Sequence, residues 1–213
     1  IAGLKQLAEY TLERTRNSAD KKLRVVLIEG GRYSGEIGAI DYSYYGQSSK
    51  YILTDESFKH FAGRPELEKL QNLTIKSPKS VGVTHLCLTS FKGYPRLHGL
   101  YLGSANAGFI TDESIKYIAG NFPRIEKLRI AGNFTPKGIQ ELGRLTKLYY
   151  LELDAPLDLS DPASFAFIKK LPELKELIFA PAKFLDLSIQ SLIDVAPGLS
   201  QLNLYVDEGS TLT

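Results

Sequence analysis

Two segments of the chain repeat each other. Thr54–Gly63 reads TDESFKHFAG and Thr111–Gly120 reads TDESIKYIAG, so both open with the same four residues and keep the same apolar positions. Each is followed by a proline and then by a run of alternating apolar residues that predicts a β-strand. The copies lie 57 residues apart, about twice the length of a short strand–helix repeat. The chain is therefore predicted to be built from stacked units.

The strand pattern apolar-x-x-apolar-x-apolar occurs along nearly the whole chain. Its middle apolar residues are Val26, Leu73, Leu100, Leu128, Leu151, Leu177 and Leu202. The first step between them is 47 residues and the later steps are 23 to 28 residues. One short strand and one short helix cannot bury an apolar face alone, so each unit needs neighbours. The spacing predicts an α/β fold of about seven strand–helix units with a parallel sheet.

Five segments carry a resemblance to a known family. They read PRLHGLYL, PRIEKLRIAGN, LTKLYYLEL, PELKELIF and PGLSQLNL. The chain resembles the leucine-rich repeat family, and the TDES helix followed by P-x-L-E-K-L is most similar to the repeats of F-box/leucine-rich proteins of the cysteine-containing type. The resemblance implies a leucine-rich repeat solenoid, which is an arc with its parallel sheet on the concave side. It also implies protein recognition, and specifically the substrate-recognition part of a ubiquitin-ligase adaptor.

The repeats divide the chain into segments of a single domain that covers residues 1–213. Residues 1–22 are predicted to form an N-terminal helix or capping unit, and residues 29–53 an insertion rich in Tyr and Gly. Residues 54–205 form the regular repeats, and residues 206–213 a polar tail. Within the repeats, Ile115, Ile118, Ala119 and Phe122 recur at helical spacing, which predicts a helix that packs against the sheet. Thr111 precedes it as an N-cap.

Charge and cysteine content indicate which classes of partner and which cellular compartment to expect. The net charge is +2, from 26 basic and 24 acidic side chains, and without a run of like charges a nucleic-acid partner is not expected. No apolar run approaches the ~20 residues of a membrane-spanning helix, so a membrane partner is not expected either. Cys87 is the only cysteine and cannot form an internal disulfide, which favours an intracellular location, cytoplasmic or nuclear. The lack of methionine indicates part of a longer chain.

Catalytic and metal-binding patterns were sought in the histidines and glycines. His60, His85 and His98 have no second histidine or cysteine at metal-ligand spacing. The glycines from Gly30 to Gly38 are not followed by the G-K-[ST] of a phosphate loop. We therefore predict no catalytic residue, no metal and no cofactor, and we do not expect an enzyme.

Alternation along the strands predicts which side chains face a partner. The leucines of each strand point into the core, so the residues between them face the concave surface. This places six candidate partner-binding residues on that surface: Tyr101, Lys127, Arg129, Tyr150, Glu152 and Tyr205. Tyrosine and arginine are the residue types that dominate interface hot spots. The alternative is that Arg129 only pairs with Glu152 on a solvated sheet.

The insertion at residues 29–53 is a second candidate surface. It carries Tyr33, Tyr42, Tyr44 and Tyr45, interleaved with Gly, Ser and Gln. Tyrosine supplies stiff contact area, and the small residues supply adaptability. Three interpretations stay open: a contact with a partner, a cap over the N-terminal repeats, or a linker.

The sequence therefore predicts a protein–protein recognition module. The alternative is a non-catalytic scaffold or assembly subunit with one permanent protein partner, which would need a large apolar contact face.

Overall fold

The computed structural model describes residues 23–29, 37–44, 55–76, 83–103, 109–208 and 210. Within this part of the chain the strands form one sheet, and they follow each other in sequence order. The strands are β1 Leu23–Glu29, β2 Ile37–Tyr44, β3 Asn72–Lys76, β4 Gly99–Leu102, β5 Lys127–Ala131, β6 Tyr150–Asp158, β7 Glu176–Lys183 and β8 Gln201–Val206. β1 pairs antiparallel with β2, and each later neighbouring pair up to β8 is parallel. The predicted α/β class with a parallel sheet is confirmed.

Helical segments connect the parallel strands. Helix α1 spans Asp112–Asn121 between β4 and β5, and helix α2 spans Asp186–Val195 between β7 and β8. The other connections carry 3₁₀ helices, which are Asp55–Phe61, Pro65–Leu67, His85–Phe91, Gly138–Arg144 and Pro162–Lys170. A 3₁₀ helix rises further per residue than an α helix, so it crosses the same distance in a shorter repeat. No helix of the described residues is long and apolar enough to cross a membrane.

The core lies between the sheet and the helices. In β4, Leu100 and Leu102 are buried, whereas Tyr101 between them is half-buried. The same alternation runs through β3 to β7, which the period of two side chains in a strand requires. On α1, the predicted stripe of Ile115, Ile118, Ala119 and Phe122 is buried. Cys87 is also fully buried, and burial raises the pKa of its thiol.

The first unit differs from the prediction. The predicted insertion 29–53 contains β2, which lies in the sheet between β1 and β3. β2 is therefore the first parallel strand, and β1, which was predicted to hold that place, pairs with it antiparallel. The segment predicted as an insertion, residues 29–53, therefore supplies a strand of the sheet over residues 37–44. Ile37–Tyr44 contains enough apolar and aromatic residues between polar or small ones to form a strand.

Aspartate–threonine contacts join consecutive helices. The carboxylate of Asp55, in the first turn of its helix, accepts hydrogen bonds from the backbone N–H and the hydroxyl of Thr84, at 2.8 and 2.7 Å. Asp112 makes the same pair of bonds with Thr135, at 2.8 and 2.7 Å. Each threonine lies just before the next helix of the stack, where N–H groups lack a partner within the helix. The acidic residue of the repeated TDES motif thus links its own helix to the next one.

The helix start predicted at Thr111 is confirmed, and a second capped helix start lies at Asp161. The backbone N–H of Thr111 donates to the hydroxyl of Ser114 at 3.1 Å, and that hydroxyl donates to the carbonyl of Phe109. Asp161 accepts a hydrogen bond from the N–H of Ala163 at 2.9 Å, and Pro162 takes the first helical position. The predicted N-terminal helix at residues 1–22 lies outside the described residues.

The C-terminal unit is less buried than the others. Leu199, Leu202 and Leu204 are half-buried, although the matching Leu174, Leu177 and Phe179 of the previous unit are at most 3% exposed. The predicted polar tail at 206–213 contributes Val206 to β8. Beyond it, the hydroxyl of Ser210 accepts a hydrogen bond from the N–H of Phe184. The described part of the tail is therefore hydrogen-bonded to Ala182 of β7 and to Phe184, which follows that strand closely.

Candidate binding face

The side chains that alternate with the core form one face of the sheet, and among the described residues no helix covers it. We call this the open face, and its central row is Thr74, Tyr101, Arg129, Glu152, Ile178 and Asn203. The strand register places these residues side by side, from Thr74 beside Tyr101 to Ile178 beside Asn203. Parallel neighbours lie about 4.8 Å apart. On β2, Asp41 is in register with Thr74.

An ion pair occupies the centre of the open face. The Nε of Arg129 lies 3.0 Å from Oε1 of Glu152, and the two side chains are 39% and 15% exposed. The other carboxylate oxygen of Glu152 accepts a hydrogen bond of 2.6 Å from the hydroxyl of Tyr150. Both oxygens of Glu152 are thus engaged within the chain. Glu152 therefore holds Arg129 on the neighbouring strand and Tyr150 on its own strand.

Burial and this contact together change the titration of Tyr150. Burial raises the pKa of its phenol, and so does the hydrogen bond to the Glu152 carboxylate, because a phenolate could not donate it. Burial also raises the pKa of Tyr101 on the neighbouring strand. Both phenols therefore stay neutral hydrogen-bond donors at physiological pH and above, and Tyr101 is in register with Arg129.

Lys127 lies beside this cluster. Its Nζ is 5.3 Å from the centre of the Tyr149 ring, within the range of a cation–π contact. Lys127 also pairs in register with Tyr150 on the next strand. The sequence interpretation did not include Tyr149, because it precedes the strand and falls outside the alternating rows.

Asp154 is a second residue that the sequence interpretation missed. β6 continues to Asp158 and carries Asp154 in register with Ala131. Burial raises the pKa of its carboxyl above the ordinary value, and the positive charge of Arg129 acts in the opposite direction. Its position two residues after Glu152, on the same face by alternation, was the available signal.

The structure therefore brings together five of the predicted residues: Tyr101, Lys127, Arg129, Tyr150 and Glu152. Tyr205 is 60% exposed on β8, with β7 between it and this cluster. Of the other predicted set, Tyr42 and Tyr44 belong to β2, whereas Tyr33 and Tyr45 lie outside the described residues. The two candidate surfaces thus remain separate predictions.

The described residues hold no group of three or more His, Cys, Asp or Glu side chains that could bind a metal ion. Near the open face, the ring of His98 is hydrogen-bonded to the carbonyl of Arg96 at 2.8 Å. His85 instead packs its ring 5.2 Å from that of Tyr117 on α1. Both histidines therefore contact groups of their own chain.

Comparisons with known proteins give little to identify the chain. No protein-family model matches it, and no curated protein matches it. Among solved structures, the crystal structure of a pollen receptor kinase 3 covers 95% of this chain and 97% of its own, with 16% identity and a TM-score of 0.45. A similarity at this level does not identify a function.

Proposed function

We propose that this protein is a leucine-rich repeat module that recognises another protein through its open face. The observation that carries the proposal is the cluster in which Glu152 holds Arg129 and Tyr150 in fixed positions. Tyrosine and arginine dominate interface hot spots. Side chains already fixed in the free protein lose less conformational entropy on binding, so they favour affinity.

The register supports a continuous contact area. Tyr101 and Glu152 flank Arg129 on the neighbouring strands, and Lys127 lies two residues before Arg129 on the same strand. Each of these side chains is half-buried. A partner that docks here would complete the burial of two aromatic rings and meet two cations. An extended or helical segment with acidic and apolar side chains fits this pattern.

A charge exchange tests this proposal without removing the ion pair. The double variant Arg129→Glu with Glu152→Arg keeps opposite charges on β5 and β6 but reverses their order on the open face. The matched control is Arg144→Glu with Glu141→Arg, which exchanges the charges of an exposed pair on the helical side at 3.4 Å. Affinity capture from cell extract with quantitative mass spectrometry should show partners lost from the first variant and kept by the control.

Retention of every partner by the open-face variant would contradict the proposal. Both variants should have the circular dichroism spectrum of the native protein, which separates loss of binding from loss of fold. A third variant, Tyr101→Ser, removes an aromatic ring of the face without touching the ion pair. It should lose the same partners as the exchange variant.

The resemblance to F-box/leucine-rich proteins gives a sharper version of this proposal. In it, the open face binds a protein that a ubiquitin ligase modifies, and the chain is the recognition part of the adaptor. Its test is whether the full-length protein co-purifies with ubiquitin-ligase subunits, and whether a captured partner accumulates when the Arg129/Glu152 exchange is introduced in cells. If a partner is captured but no ligase subunit co-purifies, the proposal of a recognition module stands and the proposal of a ubiquitin-ligase adaptor is rejected.

A second candidate function is a scaffold subunit with a permanent partner. The observation that favours it is apolar exposure at the C-terminal end, where Leu187 is 70% exposed and Ile193 is 54% exposed. A permanent contact would cover such side chains in the assembled state. The test is whether the protein purifies from its native source only within a complex of fixed composition.

A further inference from the structure

The turns that lead from a helix into the next strand carry an excess of basic residues. Four consecutive turns, at residues 92–98, 121–126, 144–149 and 169–175, hold eight Lys or Arg residues and two acidic ones, whereas the whole chain has a net charge of only +2. All eight basic side chains are exposed. We call these eight residues the basic edge.

The fold places the four turns side by side. The backbone N–H of Glu126 donates to the carbonyl of His98 at 2.8 Å, and the N–H of Tyr149 donates to the carbonyl of Glu126 at 2.9 Å. The N–H of Lys175 continues this ladder to the carbonyl of Tyr149, also at 2.9 Å. Because β4 to β7 are parallel, the turns that precede them lie at the same end of the sheet. Charges that are separated in the sequence thus share one edge of the stack.

Three members of the basic edge hold the same place in consecutive units. Arg96, Arg124 and Lys147 each lie three residues before the first register position of their strands, β4, β5 and β6. Neighbouring parallel strands are about 4.8 Å apart. The guanidinium of Arg124 also donates to the carbonyl of Pro95 in the preceding turn, at 3.0 Å. These three cations therefore form a row that runs across the strands.

Helix ends account for only part of the basic edge. The helix dipole stabilises cations in the last turn of a helix, and its effect falls off beyond that turn. Arg144, Lys169 and Lys170 lie in such last turns. The row of three cations lies at least three residues past the end of each preceding helix. Stabilisation of the helices therefore does not explain why this row is basic.

The basic edge has few acidic partners within the chain. Among the described residues, Arg144 is the one member that forms an ion pair, with Glu141 at 3.4 Å. The other seven form no ion pair with a described residue. Like charges along one edge repel each other, and a partner of opposite charge removes that repulsion and is attracted to the edge.

We propose that the basic edge binds an acidic segment of another protein. Charge complementarity carries this proposal, because the eight cations outnumber the two carboxylates of the same turns. Four units span about 14 Å at the strand spacing, and an extended segment covers that distance with about five residues. The basic edge lies at the start of the strands, so it is a second contact surface and does not depend on the open face.

A nucleic acid and a membrane fit the basic edge less well. A nucleic acid carries a phosphate on every nucleotide, and the exposed carboxylates of Glu126 and Glu173 interrupt the edge. A peptide can place an uncharged residue opposite each of them. Stable attachment to a membrane needs a second signal besides a basic patch, such as an apolar anchor. None of the large apolar side chains exposed among the described residues belongs to these turns.

The test compares two charge-reversed variants of the full chain. The edge variant is Arg96→Glu with Lys147→Glu. The control variant is Lys116→Glu with Lys137→Glu, which changes the net charge by the same amount outside the basic edge. All four side chains are exposed, so both variants should keep the native circular dichroism spectrum. The probe is a fluorescein-labelled peptide of glutamates, and a peptide of glutamines of the same length is its control.

Fluorescence anisotropy at low salt should show that the native chain and the control variant bind the glutamate peptide. The edge variant should bind it about tenfold more weakly or worse, a difference of about 1.4 kcal/mol. Added salt should weaken binding, because it screens the charges. The exchange variant Arg129→Glu with Glu152→Arg should bind the peptide as the native chain does. This result is therefore independent of whether the open face binds a partner.

Equal losses in the edge and control variants, or no binding of the glutamate peptide at low salt, would overturn the proposal. An oligothymidine and vesicles that contain phosphatidylserine are the competing probes. If either binds more tightly than the glutamate peptide and the edge variant loses it, the basic edge belongs to a nucleic acid or a membrane instead. Salt-sensitive self-association of the native chain that the edge variant abolishes would assign the basic edge to a second copy and would also overturn the proposal.

Discussion

The carboxylate of Asp112 holds Thr135 by two hydrogen bonds, one to its backbone N–H at 2.8 Å and one to its hydroxyl at 2.7 Å. The first residue belongs to helix α1 and the second to the turn before the next helix. Asp55 and Thr84 repeat the arrangement two units earlier in the stack. The aspartate that follows threonine thus makes the same contact in both TDES segments.

Replacement of Asp112 by asparagine should weaken the contact between these units. An amide has only one accepting oxygen, so one of the two bonds is lost and an N–H₂ group faces a donor. We expect the free energy of unfolding to fall by about 1.5–3 kcal/mol, the range for a hydrogen bond to a charged group. Urea denaturation measures it, with Glu113→Gln, an exposed neighbour, as the control. Equal stability of the two variants would contradict the proposed contact.

The Arg129–Glu152 pair should stabilise the fold as well as shape the open face. Glu152 is only 15% exposed, so Arg129→Glu would bring two carboxylates together with little water around them. We expect a loss of about 1–3 kcal/mol in the free energy of unfolding. The exchange variant Arg129→Glu with Glu152→Arg should regain most of that loss, because opposite charges are restored. If the exchange variant is no more stable than the single one, the pair does not contribute to stability.

Asp154 should make stability depend on pH in the acid range. Burial raises the pKa of its carboxyl in the folded protein, so the folded state disfavours the ionised form. The destabilising contribution is therefore absent below the pKa of the unfolded chain and grows as pH rises through the folded pKa. We expect Asp154→Asn to raise the melting temperature at pH 7 relative to the native protein, and this difference to shrink towards pH 3. A difference that is constant with pH would contradict the assignment.

Gly103 should not tolerate a side chain. Its φ is +85°, and a Cβ there would lie 1.9 Å from the carbonyl oxygen of Ala131 on the next strand. Gly103→Ala should therefore lower stability by more than about 1 kcal/mol, since both the backbone conformation and the contact are unfavourable. Gly120→Ala is the matched control, because its Cβ would meet nothing within 4 Å. In helix α1 that change should be neutral or stabilising. Thermal melts of the two variants provide the comparison.

Removal of Leu199–Thr213 should destabilise the remaining units. The deletion would expose Leu174, Leu177 and Phe179, which are now at most 3% exposed. Exposure of buried leucine or phenylalanine side chains costs about 1.5–3 kcal/mol each when it is complete. We expect a lower melting temperature and a partial loss of helical signal in circular dichroism. An unchanged melt would be inconsistent with units that stack on one another.

The local pattern was sufficient to locate most strands. Leu100 and Leu102 of β4, like their equivalents in β5 to β7, are buried as the apolar spacing predicts. A strand that packs on one side must alternate, so this information is present in each short segment by itself. The row from Tyr101 to Glu152 follows from the same alternation, once the strands are known to be in register.

The start of the sheet could not be predicted in this way. β1 and β2 both have strand-like sequences, but β1 runs antiparallel to its neighbour and β2 takes the place beside β3. The direction and order of the strands depend on how the chain turns between them. Alternation within a strand does not indicate that turn. The contact of Lys127 with Tyr149 also depends on how neighbouring units are placed. Spacing within one strand does not indicate it.

The sequence by itself determined the repeating strand–helix order, the buried leucine positions and the side chains of the open face. The reason is that each unit repeats the same spacing of apolar residues. Only the tertiary structure decided that Glu152 engages both Arg129 and Tyr150, and that Asp112 reaches Thr135 in the next unit. It also decided that β2, not β1, pairs with β3. These relationships depend on distances and register between units, and the free energy of such contacts exists only when the units are stacked.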